Sequence, residues 1–102
     1  MVNYEKGEAQ RIGAKLHKNS GRGKMQKADA TWNEFIVDFK HFSKSFSLSQ
    51  SVWAKICTDT LKTDRSKNPA LMLVIGEGNK KVRLAVIEWE VFEELRNNGN
   101  NS

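Results

Sequence analysis

The run "ALMLVIG", residues 70–76, constrains the fold of this chain more than any other stretch. It carries no polar side chain, so as a strand it has no face to offer water. Such a strand belongs inside a sheet that is covered on both sides, the arrangement of α/β proteins. The covering elements are legible around it. Residues 47–62, "SLSQSVWAKICTDTLK", read as a helix whose inner face is Leu48, Val52, Ile56 and Cys57, with Trp53 and Leu61 at its margins. Ser47 followed by Gln50 is a capping-box pattern. The polar break "TDRSKNP" (63–69) leads into the apolar strand, and "EGNKK" (77–81) is a turn. "VRLAVIE" (82–88) is the next strand, and "WEVFEELRN" (89–97) is a last helix with Trp89, Phe92 and either Leu95 or Val91 inward. The ending "NNGNNS" (97–102) reads as a frayed tail.

Upstream, residues 5–17, "EKGEAQRIGAKLH", read as a helix with Ala9, Ile12 and Leu16 in one stripe. Glu8 shares that stripe. A carboxylate beside apolar residues is costly to desolvate unless something pairs with it. The alternative is a helix end where Glu8 reaches water beside the macrodipole. Then "KADAT" (27–31) and "EFIVDFK" (34–40) form a hairpin joined around Trp32 and Asn33. Strand alternation sends Phe35, Val37 and Phe39 to one face and Ile36, Asp38 and Lys40 to the other. The expected order is α–β–β–α–β–β–α, a mixed sheet flanked by helices. At 102 residues the chain suits one domain with one modest core, and no internal repeat divides it.

Charge narrows the function. The net charge is +5, and "KLHKNSGRGKMQK", Lys15 to Lys27, holds five cations and no acid. A flexible basic segment over about 18–27 either faces solvent or rides on phosphates, whose counterions it releases. The single Cys57 excludes an internal disulfide and a Cys-x-x-Cys metal site. No apolar run approaches the roughly 20 residues that span a bilayer, and "MVNYEKGEAQ" has no hydrophobic signal region. The expectation is a soluble, intracellular protein with no membrane partner.

Asp29, Asp38 and Lys40 spell D…D-x-K. Two carboxylates converging at one end of a hairpin make an oxygen site for a hard divalent cation such as Mg²⁺. Lys40, on the same side as Asp38, can polarise a water or steady charge on a phosphate. Glu8 can supply a third carboxylate. The bland alternative is a surface Asp–Lys pair worth about 0–1 kcal/mol.

A glutamate on a first helix, then Asp, then (D/E)-x-K in a hairpin resembles the signature of the PD-(D/E)xK nucleases. Over residues 5 to about 95 the chain looks most like the small archaeal-type and phage Holliday junction resolvases. The resemblance is carried by "KGEAQRIGAKL", "NSGRG", "ADATWNEFIVDFK" and "NPALMLVIG". Asp38 stands where those resolvases usually have glutamate, and Ala28 stands at the proline of the motif's name. The resemblance implies a single restriction-endonuclease-like α/β domain, metal-dependent phosphodiester hydrolysis and a homodimer acting on branched DNA. It implies that Asp29 and Asp38 hold Mg²⁺, with Mn²⁺ as a substitute and the Phe39 carbonyl as a further ligand. Glu8 completes the site directly or through water, and Lys40 orients or activates the attacking water. Ser20 falls where the resolvases carry a serine near the active site. Arg22, Lys24 and Lys27 would grip phosphates, with Lys44 and Lys18 as weaker contacts. The implied location is cytoplasmic, nucleoid-associated or within a phage-infected cell. Three other readings stand beside this one: the same fold cutting nicked, flap or duplex DNA, a non-catalytic nucleic-acid-binding domain, and a small protein-interaction domain.

Overall fold

The structure, a computed structural model, describes residues 3–16 and 30–100. It is a mixed α/β arrangement of three helices and a five-stranded sheet in the order β1-β2-β3-β4-β5. Helix α1 is Asn3–Ile12, β1 is Lys15–Leu16, β2 is Ala30–Trp32 and β3 is Phe35–Phe42. Helix α2 is Gln50–Thr63, β4 is Asn68–Ile75, β5 is Val82–Val86 and α3 is Trp89–Asn100. A short 3₁₀ turn, Gly78–Lys80, joins β4 to β5.

The first helix is shorter than its apolar stripe predicts, and Gly13 is the reason. Its φ of 76° lies in the left-handed region, where an L side chain is strained. The Gly13 N–H donates to the Gln10 carbonyl at 3.2 Å and the Ala14 N–H donates to the Ala9 carbonyl at 2.8 Å. That pair of bonds is a Schellman closure, which satisfies the last carbonyls and turns the chain out of the helix. Leu16 therefore meets the core from a strand, pairing with Ala30, and not from a fourth helical turn. This adds one strand to the expected order.

The hairpin closes on Asn33 and Glu34, with Trp32 paired to Phe35 and inside the strand. Asn33 has φ 52°, a conformation asparagine tolerates better than most residues. The part of the first hairpin strand expected over 27–29 lies outside the described residues. From β3 the chain crosses through α2 to β4, which runs parallel to β3 from Phe35↔Asn68 to Phe42↔Ile75. Helix α2 starts later than its capping-box pattern predicts. The cap is Ser49, whose Oγ accepts from the Val52 N–H at 3.2 Å.

The register divides the core between the two faces of the sheet. Phe35, Val37 and Phe39 of β3 join Ala30, Ala70 and the helix residue Ala9 on the α1 face. Leu71 and Leu73 of β4 join Ile56 of α2 on the other face, with Val52 and Trp53 packed against them. Strand β4 is thus covered on both sides, as its unbroken apolar sequence requires. The inner face of α2 is revised: Ile56 and Thr60 are buried, Cys57 is half-buried, and Leu48 and Leu61 are exposed. Helix α3 departs further. Of the two alternatives Leu95 and Val91, it is Val91 that packs on the core, while Trp89 and Phe92, expected inward, are exposed, as is Leu95. A cavity of about 320 Å³ lies between Leu95 and the sheet residues Phe35, Met72 and Ala85.

A Cβ at Gly13 would meet nothing within 4 Å, so substitution there tests backbone conformation without a steric clash. Gly13→Ala is expected to lower stability by about 1–2 kcal/mol. Urea unfolding followed by circular dichroism measures this, with Gly7→Ala as the control in the helical interior.

Candidate active site

Strand β3 places the motif residues. Asp38 and Lys40 are two positions apart on a pleated strand, so both project to the α2 face, in register with Leu71 and Leu73. Lys40 Nζ lies 3.5 Å from Asp38 Oδ2. The Asp38 side chain is 16% exposed and that of Lys40 is 32%. The pair is thus partly withdrawn from water yet open enough to meet a ligand. Phe39 between them points to the opposite face and is buried, which pins the strand in its register.

Glu8 is the charged group that the apolar stripe flagged, and it is 6% exposed. Its carboxylate accepts a hydrogen bond from Arg83 Nε at 2.8 Å, and Arg11 Nε stands 3.7 Å away. The Glu8 hydrogen bond holds the Arg83 guanidinium above its usual range, firmly charged. Arg83 aligns with Val74 and, one strand further, with His41, three residues beyond Asp38. Three steps along a pleated strand reverse the face. Glu8 and Arg83 therefore belong to the α1 face, and Asp38 and Lys40 to the other. The described structure does not bring Glu8 to the Asp38–Lys40 pair.

Among the described residues, no three His, Cys, Asp or Glu side chains form a group that could hold a metal. Asp29 lies outside the described residues, as do Ser20, Arg22, Lys24, Lys27 and Lys18. Lys44 is exposed in the segment between β3 and α2. His41, which follows the motif lysine, is half-buried and pairs its Nε2 with the Gly76 carbonyl at 3.1 Å. It ties the ends of β3 and β4. Cys57 is no ready nucleophile, since burial and the Glu88 carboxylate push its thiol up.

Arg83 is the residue that reading along the chain missed. The signal was there in two halves. One arginine interrupts the apolar run 82–87, and one glutamate interrupts the stripe of the first helix. Each is anomalous by itself, and together they are a buried carboxylate and its cation. No family model, no curated protein and no solved structure matches the chain. Among the described residues no helix is long and apolar enough to cross a membrane.

The placement of Glu8 makes a separable expectation. Glu8→Gln keeps the shape but removes the charge opposite two arginines, and should lower stability by roughly 1–3 kcal/mol. Denaturant midpoints measure this. An unchanged midpoint would show that the Arg83 contact contributes nothing to folding.

Proposed function

We propose that this chain is a divalent-metal-dependent DNA endonuclease with the restriction-endonuclease-like core of the PD-(D/E)xK class. Within that class we assign it to the structure-selective Holliday junction resolvases, acting as a homodimer. One observation carries the reading. Asp38 and Lys40 stand side by side on β3, carboxylate and ammonium 3.5 Å apart, in the D-x-K order with Asp29 upstream. The five-stranded mixed sheet with helices on both faces is compatible with that core.

The residues fit a hard cation. Carboxylate and carbonyl oxygens suit Mg²⁺ and Mn²⁺, and among the described residues no thiol–imidazole cluster that would suit a softer metal is found. Asp38 and Asp29 would hold the ion, with the Phe39 carbonyl beside them. A bound Mg²⁺ supplies a nucleophile from water at neutral pH and offsets charge on the scissile phosphate. Lys40 would orient or activate the attacking water, or steady the charge that builds on the phosphate. Its Asp38 partner holds the ammonium on that side of the strand. The basic segment, with Arg22, Lys24 and Lys27, contacts phosphates and so positions DNA without reading its sequence, and Lys44 extends that surface. Ser20 lies within the same segment. In this reading Glu8 serves the site at one remove, by holding α1 to β5 through Arg83.

Incubation of the protein with a labelled four-way junction and a matched linear duplex, with Mg²⁺ or EDTA, tests the assignment. Junction cleavage that needs Mg²⁺ is expected. Equal cutting of both DNAs would keep the nuclease and remove the resolvase. Asp38→Asn should abolish cleavage while leaving DNA binding intact or tighter, because it removes a negative charge facing phosphate. Arg22→Ala with Lys24→Ala should flatten the slope of log affinity against log salt by about two units, near 0.9 for each lost phosphate contact. Filter binding across a salt series measures that slope.

A further inference from the structure

Strand β5 ends the described sheet, and among the described residues no strand pairs with its outer side. Natural edge strands are usually guarded by proline, a bulge or an unpaired inward charge. This one has no proline and no bulge in its register with β4. Its single charge, Arg83, is already held by Glu8. Val82 and Leu84 project to the α2 face, in register with Ile75 and Leu73, and both are exposed, Leu84 at 46%. Trp89 and Phe92, which follow at the start of α3, are exposed as well, Trp89 at 69%, with ring centroids 5.1 Å apart.

The sequence around this edge has a symmetry that selects its occupant. In "KKVRLAVIE", residues 80–88, the apolar positions 82, 84 and 86 are arranged evenly about Leu84, with Lys80 at one end and Glu88 at the other. Two such strands laid antiparallel about Leu84 set Val82 against Val86 and Leu84 against Leu84, while Lys80, in the 3₁₀ turn, and Glu88, before α3, lie beyond the ends of the paired strands. The same operation sets Arg83 against Ala85, whose small side chain leaves room for the guanidinium stem. A strand from an unrelated partner would not require this self-complementary order.

We infer that β5 is an isologous dimer edge, on which a second copy of this chain adds its own β5 antiparallel about a two-fold axis at Leu84. The axis is perpendicular to the sheet, so each face continues into the same face of the partner. Ten strands then form one sheet. The apolar stripe of Val82, Leu84 and Val86 is buried against its symmetric mate, and the backbone groups of both edges are paired. The acidic start of α3, with Glu88 and Glu90, comes to the basic end of the neighbouring strand, where lysine stems can cover Trp89 and Phe92. The interface itself stands on the edge and its symmetry. Its use, to carry two Asp38–Lys40 sites in one particle, rests on the nuclease reading above.

Sedimentation at micromolar concentration tests the inference, and a dimer is expected. Leu84→Lys sets two ammonium groups against each other across the axis and should raise the dimer dissociation constant more than about tenfold. Its thermal melt, followed by circular dichroism, should still show a folded chain, since Leu84 is half in solvent. Directly opposed residues in an antiparallel pair have Cα atoms about 4.5–5.5 Å apart, within the range of a disulfide. Leu84→Cys in a Cys57→Ser background should therefore crosslink to a covalent dimer on mild oxidation, whereas Val82→Cys in the same background should not. A wild-type monomer overturns the inference. So does a dimer that Leu84→Lys leaves intact and Leu84→Cys fails to crosslink. A crosslinked dimer that cuts no DNA keeps this interface and removes the nuclease reading. A monomer that cuts DNA does the reverse.

Discussion

The parallel ladder between β3 and β4 is the constraint on which the rest of the structure depends. It joins eight residues of each strand, from Phe35↔Asn68 to Phe42↔Ile75. Both ends are fastened. The Asn68 N–H donates to the Glu34 carbonyl at 2.8 Å, and the Gly76 N–H donates to the Phe42 carbonyl at 2.9 Å. Gly76 also accepts from His41, and its φ of 108° admits no ordinary side chain. A Cβ there would stand 3.0 Å from Lys81 Cα, so the exit from the ladder needs glycine. A slip of one residue would exchange Asp38 and Lys40 with Phe39 between the two faces of the sheet and carry both charges among the buried residues of the α1 face, which the core forbids.

That ladder also separates two kinds of charge. On the α1 face the buried Glu8 carboxylate meets two partly exposed arginines, and their contact binds the first helix to the last strand. On the α2 face a carboxylate and a lysine meet where water does reach. In the first, both arginines meet the same carboxylate oxygen, Oε1 of Glu8. In the second, Asp38 is paired with the Lys40 ammonium at 3.5 Å. Helix α2 contributes to the second face by burying Ile56 against Leu71 and Leu73.

Much of this was legible in the residues. The unbroken apolar run of β4 specified a strand buried on both sides, because no alternation was available to expose a face. The Phe35-Val37-Phe39 alternation specified which side of β3 was core and therefore which side carried Asp38 and Lys40. The end of α1 was misplaced because Leu16 extends the helical stripe in phase, and a stripe does not reveal that Gly13 has adopted a left-handed conformation. The cap of α2 was misplaced for a similar reason: Ser47 and Ser49 both precede the apolar face, and only the geometry selects Ser49. In α3 the apolar spacing was genuine, but Trp89 and Phe92 are exposed, while Val91 packs on the core and Leu95 lines the cavity beside the sheet. Periodicity shows that a helix has an apolar side, and cannot show whether that side meets its own chain or another.

The sequence by itself determined the element types apart from β1, the covered central strand, the pairing of faces along β3 and the adjacency of Asp38 to Lys40. These follow from local repeats of the backbone, two residues for a strand and 3.6 for a helix. Tertiary structure decided which charges meet. Glu8 lies far from Arg83 in the chain, and their contact exists only because α1 settles on the same face to which β5 turns its arginine. Burial then made that pairing obligatory, since a carboxylate withdrawn from water must take the nearest cation that can follow it. Local repeats assign a side chain to a face, but only packing chooses its partner.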